Sequence, residues 1–482
     1  MLTILGKPQR SCQGFSRREM LQAGGAGLLG VGWSQVARAE AVAQAVANDP
    51  VRAATAKSIL YLYIYGGPSQ LETYDMKPEA PSGIRGPFQP IASRTPELLM
   101  TEHLPRMAAM SDRFAVIRTV NHTHNNHHAC HWIKTGRAWH LPETILNATP
   151  DQDQPAIGSL IEYLDQNHFP RTPGQLPSYW YVPAPLGHLQ GYDYPGQYAG
   201  WLGRGYNALA TNFRRRDSKD NPFFRDCTED ELNFQIQGLE PQPGVALDRL
   251  NRRQTLLSQF DDARVQLEQA RSVRTQDQLW QRAFDLMSSE PIRKALDIKQ
   301  ETNEVRDRYG RHLFGQSALL GRRLIEAGAR FVTVQWECPD GYSWDSHIHS
   351  TDIQHQLLPR LDQTYSILLD DLSDRGLLDE TLVVLMSEMG RTPTGNSTWG
   401  RGHWCHTFPA VLAGGGIQGG TVYGKTDKDA GYPADFPVSP GDIAATLFTA
   451  LGIDPHMRIP DQQGRPVGLV IDEAKPIDAL FA

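Results

Sequence analysis

Short, nearly unbroken apolar runs recur along the chain: Ser58 to Tyr65 (SILYLYIY), Phe114 to Val120 (FAVIRTV), Phe331 to Val334 (FVTV), Thr381 to Met386 (TLVVLM) and Pro409 to Ala413 (PAVLA). Apolar runs this short, without polar alternation, read as strands covered on both faces. The first ends in the turn Gly66-Gly67-Pro68. The segments between them follow a helical period. Leu361, Tyr365, Leu368 and Leu372 fall on one helix face, Gly376 stops that helix, and a strand starts at Thr381. Ser317 to Ala327, Gly328 and the strand from Phe331 repeat the order, and Asp442 to Leu451 forms a last amphipathic helix behind Pro440-Gly441. This alternation predicts an α/β domain over 57–482 with a mainly parallel sheet sandwiched by helices. The middle breaks the pattern. From about Gln197 to Pro243 it is rich in Gly, Asn, Arg and Pro, and from Ala246 to about Arg308 it is polar and helical. Residues 197–308 therefore read as a loop-rich and helical insertion or cap.

The N-terminus carries a different signal. Ser16-Arg17-Arg18-Glu19-Met20-Leu21 precedes an uncharged run, Ala23 to Trp33, that ends at Ala37-Arg38-Ala39. Paired arginines, a short apolar run and a small-x-small site, in that order, predict a twin-arginine signal peptide over 1–39. A polar, Ala-rich tether over 40–56 follows. The expectation is export in folded form to the periplasm or the outside. No later stretch is long and apolar enough to anchor the chain in a membrane.

Charge narrows the partners. A net charge of −7 gives no basic field to draw nucleic acid, so an anionic substrate needs local positive charge from a metal or an arginine. Four cysteines follow the signal: Cys130, Cys227, Cys338 and Cys405. They allow two disulfides by three connectivities, while the histidines around Cys130 and Cys405 equally suit metal binding.

Polar clusters follow the predicted strands, where ligands of open α/β sheets collect. After the first strand come Ser69, Glu72 and Asp75; after the second, five of the chain's 16 histidines lie between 122 and 131. After Val334 come Asp345 and His349 in an Asp-x-x-x-His spacing; after Met386 comes Glu388, and His403 lies ahead of the last run. Imidazole and carboxylate are the zinc ligand types, so Asp345, His349, Glu388 and His403 are the expected metal ligands. His127, His128, Glu72 and Asp75 are the expected acid/base or additional groups. Glu388 equally suits a structural pair with Arg391, and Asp75 a turn cap. Trp132, Trp139, Trp344, Trp399 and Trp404 near these clusters suit either sugar stacking or core packing.

These motifs together resemble the family known as domain of unknown function 1501, grouped with the alkaline phosphatase and sulfatase-like superfamily. The segments that carry the resemblance are GGPSQLETYD (66–75), the His-rich segment through Lys134-Thr135-Gly136, WDSHIHS (344–350), LLDETLVVLMSEMGRTP (377–393), GRGHW with FPAVLAGGGIQGG (400–420) and VSPGDIAATLFTALGIDP (438–455). The resemblance implies an alkaline phosphatase-like sandwich holding one or two divalent metals, zinc or calcium, and hydrolysis of a phosphate, sulfate or glycan ester. It assigns Asp345 and His349 to the superfamily's ligand pair, Glu388 to the place of its Asp-His pair, and His403 to its last histidine ligand. Two departures stand out. Met389 replaces the histidine of Asp-His, and none of the polar clusters that follow the predicted strands carries the Cys/Ser-x-Pro-x-Arg motif of a formylglycine sulfatase. The competing expectation is a non-catalytic glycan- or envelope-binding protein that keeps the fold.

Overall fold

The computed structural model describes residues 52–140, 148, 152–169, 176–217, 219–236, 289–337, 344–349 and 353–482. The expected signal peptide, most of the tether, Cys338 and the middle of the expected insertion (237–288) lie outside the described residues.

Among the described residues nine strands form one sheet. In chain order they are β1 (Ser58–Ile64), β2 (Phe114–Val120), β3 (Tyr179–Val182), β4 (Leu209–Asn212), β5 (Gln235–Ile236), β6 (Phe331–Trp336), β7 (Thr381–Met386), β8 (Phe408–Ala413) and β9 (Val422–Tyr423). Their lateral order is β9-β2-β8-β7-β1-β6-β3-β4-β5. β1 lies centrally, parallel to both β6 and β7. Only β8, which pairs antiparallel with β2 and β7, and the edge strand β5 run against the rest. This is the mainly parallel sheet that the apolar runs predict.

Side chains of β1 alternate between two cores. Leu60, Leu62 and Ile64 pack with the helices α1 (Leu313–Glu326) and α2 (Leu358–Asp374) on one face. Ile59, Tyr61 and Tyr63 face the helices α3 (Ile157–Asn167) and α4 (Pro440–Ala450) on the other. A period of two across a sheet with both faces covered produces the continuous apolar runs seen in the sequence. The described flanks of the expected insertion are built into this body: β4 and β5 extend the sheet edge, and the helices Glu290–Leu296 and Asn303–Tyr309 pack on α1 and α2.

Direction of strands places the site. β1, β2, β6 and β7 all end at one edge, so the segments that follow them converge there. The antiparallel β8 starts at that same edge. The segment before β8, which holds His403, therefore meets the segments after the other strands.

The buried His312 caps the N-terminus of α1, its Nδ1 accepting from the Gly315 N–H at 3.2 Å. Burial holds this imidazole down to about 3, so it stays neutral in the fold while the unfolded chain protonates near 6.5. Folded protein binds fewer protons than unfolded protein between those values, so stability falls as pH drops from about 6.5 toward 3. His312→Asn keeps a cap and removes the titration. Denaturant midpoints measured from pH 7 to 4 are expected to fall less steeply in this variant than in wild type.

Candidate metal centre

Two glycines make room at the end of β1. Gly66 and Gly67 have φ of 116° and 73°, a left-handed region that favours glycine. A Cβ on Gly66 would lie 2.6 Å from the backbone nitrogen of Asp345, and one on Gly67 2.9 Å from Met389 Cγ. The segments that follow β6 and β7 can therefore close directly onto this turn.

Three predicted residues meet there. His127 Nε2 lies 3.2 Å from Asp345 Oδ2, and His403 Nε2 lies 3.1 Å from Asp345 Oδ1. One ligand atom from each of these residues falls within 4.8 Å of the others. The rings are held from behind. His127 Nδ1 is 2.8 Å from Glu388 Oε1, and His403 Nδ1 is 3.3 Å from the Asn125 carbonyl oxygen. Carboxylate and carbonyl only accept, so both Nδ1 atoms donate there, and each Nε2 points at Asp345. Metal-binding histidines are oriented by this arrangement. His347, half exposed, adds a third nitrogen: its Nε2 is 2.9 Å from Asp345 Oδ1 and 3.0 Å from His403 Nε2. Tetrahedral zinc with ligands at its usual bond lengths separates ligand atoms by about 3.3 Å, so these spacings fit one small ion.

Electrostatics define what the cluster asks for. Burial opposes ionisation of Asp345, but hydrogen bonds from His127 and His403 and the charge of Arg391 hold it well below the usual carboxylate range. Burial likewise opposes protonation of His127, yet hydrogen bonds to Asp345 and Glu388 outweigh it and raise the imidazole to about 9. Two carboxylates thus demand positive charge between them. A proton on His127 Nε2 meets that demand, and so does a divalent cation in its place. Arg391 supplies a further charge: its guanidinium donates to Asp345 Oδ1 and to the carbonyls of Gly66 and Gly67.

Other predicted residues are placed differently. Glu388 is fully buried and lies outside the set formed by His127, Asp345 and His403. Its Oε1 accepts from the Gly66 N–H and His127, and its Oε2 accepts from Tyr63 and Ser387, each at 2.8–2.9 Å. Four donors saturate the carboxylate, and the alternative pair with Arg391 does not form either. His349 is outside the cluster. The Asp-x-x-x-His spacing brings side chains together on a helix, but 344–349 is a bent loop that turns His347 inward instead. Glu72 is buried against Arg401 at 3.0 Å, and Asp75 is buried against Lys77, Arg118 and Thr426. Neither carboxylate contacts the cluster. His128 turns to Asn126 and Trp139. Cys130, Cys227 and Cys405 are free thiols, and Cys130 donates to the Pro195 carbonyl.

Sequence reasoning missed His347, the grip of Arg391 on Asp345, and the supports Tyr63 and Asn125. His347 sits in the same WDSHIHS segment, so its residue type was the one available signal. Met389 is buried against Gly67, so an apolar side chain fills the place of the imidazole that the resemblance implied.

Beside the cluster, the strand pair Gly390–Arg391 and His403–Trp404 presents Arg391 and His403 to Asp345. Trp404 and Thr392 instead line a cleft of about 470 Å3 with Ile84, Asp427, Asp429 and Tyr432. The Trp404 and Tyr432 rings are 5.4 Å apart, and Tyr432 is 51% exposed.

The family described as Protein of unknown function (DUF1501) matches residues 56–481. No curated protein matches the chain at sequence level. Among solved structures the chain is similar to the PsFucS1 sulfatase from Pseudoalteromonas sp., at 11% identity and a TM-score of 0.36, over 83% of this chain and 68% of that one. It is also similar to the phosphonate monoester hydrolase SpPMH from Silicibacter pomeroyi, at 10% identity and a TM-score of 0.34, over 87% and 76% of the two chains. The lipoteichoic acid synthase LtaP from Listeria monocytogenes gives 10% identity and a TM-score of 0.36, over 87% and 76%. Likeness at this level is distant, and the chemistry of this chain is read from its own side chains.

Gly66→Ala is expected to force Asp345 away from the turn and to destabilise the protein by about 1–3 kcal/mol. A lowered thermal midpoint together with reduced zinc uptake is the expected result. A variant with both unchanged would show that the close approach of Asp345 to Gly66 does not hold the cluster.

Proposed function

This chain belongs to the DUF1501 family of proteins of unknown function, and on that premise we propose that it is an exported, metal-dependent hydrolase of phosphate, sulfate or related esters. The observation that carries the reading is the set His127, Asp345 and His403, with each histidine held at Nδ1 by an oxygen acceptor. Two imidazoles and one carboxylate suit zinc, whereas calcium takes six to eight oxygens, so zinc is the favoured ion. A divalent ion held there would supply Lewis acidity to an ester oxygen.

The chain's own groups provide the remaining functions. Arg391 keeps Asp345 ionised and fixed. Ser69 is buried, and the Ser387 and Ser346 hydroxyls are committed to Glu388 and to the His349 carbonyl. Water is therefore the attacking group in this reading, and His347, the cluster imidazole most open to solvent, is positioned to take its proton. The cleft beside the cluster supports a glycan ester as substrate, since Trp404 and Tyr432 offer faces for a sugar ring and Asp427 and Asp429 accept from hydroxyls. The paired arginines and Ala-x-Ala site over 1–39 support export in folded form. Among the described residues no helix is long and apolar enough to cross a membrane. The second reading, a glycan-binding protein without catalysis, is favoured by the buried Met389 in place of an imidazole ligand.

Elemental analysis of the chain from Glu40 onward, folded in a metal-replete cytoplasm, is expected to find stoichiometric metal. His127→Ala and His403→Ala lose it, while Glu388→Ala weakens affinity by about 10–100-fold. Turnover of 4-nitrophenyl phosphate or sulfate is expected to vanish on chelation and to return with zinc. Wild type without metal would overturn the hydrolase reading, and stoichiometric metal without turnover of any ester would put the binding protein first. Trp404→Ala and Tyr432→Ala are expected to raise KM for sulfated or phosphorylated oligosaccharides several-fold and to leave the small aryl esters unaffected.

A further inference from the structure

Lys134 is a buried cation that the reading above does not use. It lies on the short helix Ala129–Thr135, just after His127, and is 5% exposed. The helix ends at Gly136 with φ of 69°, where a Cβ would lie 2.7 Å from Ala444 Cβ. Contact with α4 thus holds this helix against the domain and keeps Lys134 over the sheet. The ammonium has no hydrogen-bond partner among the described residues. It sits 4.1 Å above the centroid of the Tyr63 ring and 5.3 Å from that of Tyr181. The Tyr63 hydroxyl donates to Glu388 Oε2 at 2.9 Å, and Glu388 Oε1 accepts from His127 Nδ1 at 2.8 Å.

These contacts form one line from a buried charge to a candidate ligand. An ammonium over an aromatic face is attracted to the ring and draws electron density from it. The phenol becomes a stronger donor, and its hold on the Glu388 carboxylate tightens. Burial lowers the ammonium to about 8, against the attraction of Glu388 and Glu337.

We propose that Lys134 is a positioning residue that acts through the Tyr63 ring to keep the Glu388 carboxylate aligned behind His127, and so sets the metal affinity of the centre. The inference rests on the metal reading of His127, Asp345 and His403.

The test is zinc affinity, measured by competition with a chromophoric chelator on metal-stripped full-length mature protein. The variants are Lys134→Met, which keeps the length and removes the charge, Tyr63→Phe, which keeps the ring and removes the donor, and the double variant. Each single variant is expected to bind zinc about 10–100-fold more weakly, the size typical of changes behind a metal ligand. The double variant is expected to be no weaker than Tyr63→Phe alone, because the lysine acts through that hydroxyl. Near-ultraviolet circular dichroism of the metal-free proteins checks the fold. Folded variants with wild-type zinc affinity, or losses that simply add, overturn the proposal. If Lys134→Met does not fold, Tyr63→Phe decides: weaker binding supports the line and unchanged binding ends it. A wild type that binds no zinc would defeat the metal reading and this inference together, whereas zinc held equally by all four proteins defeats this inference alone.

Discussion

The carboxylate of Asp345 is the point on which the arrangement at the strand ends depends. Arg391, His127, His347 and His403 all reach its two oxygens, and these residues come from the segments after β2, β6 and β7 and the one before β8. Each segment would otherwise be a loop free to adopt several conformations. A partly buried anion with so many donors fixes them at once, because leaving any of these charges unpaired there is costly. The same convergence brings two imidazole Nε2 atoms and a carboxylate within reach of one cation. Structural cohesion and candidate chemistry thus rest on a single side chain.

Behind this anion stands a second, of different character. Glu388 is fully enclosed and meets four donors, one of them the His127 ring. A saturated buried carboxylate is rigid, and rigidity passed to His127 Nδ1 aligns the opposite nitrogen of the ring. The supporting groups come from the neighbouring strand and turn, Tyr63 and Gly66. Central placement of β1 between β6 and β7 therefore serves the site as well as the core.

Strand direction explains an oddity of the chain order. His127, Asp345 and Glu388 follow strands, whereas His403 precedes one. In a wholly parallel sheet the segment before a strand lies at the far edge. Because β8 is antiparallel, it begins where the others end, and His403 joins them. Apolar runs do not encode direction, so the sequence pattern located the strand without revealing why the residue ahead of it belongs to the cluster.

The chain pattern alone was enough for five of the nine strands of the described sheet and for the helices α1, α2 and α4. Buried runs such as SILYLYIY and TLVVLM have few other ways to satisfy their surfaces, and the glycines at 66, 328 and 376 mark where the elements stop. It also pointed to the neighbourhood of the site, because polar residues just after buried strands have little reason to be there otherwise. Roles within that neighbourhood were beyond it. Spacing favoured His349, but a bent loop turned His347 inward. Residue type favoured Glu388 as a ligand, but four donors had already claimed its oxygens. Glu72 and Asp75 had the right chemistry, yet Arg401, Lys77 and Arg118 neutralise them away from the cluster. A ligand is defined by which lone pairs remain free and aimed at a common point. That depends on partners hundreds of residues away in sequence, and only packing brings them together.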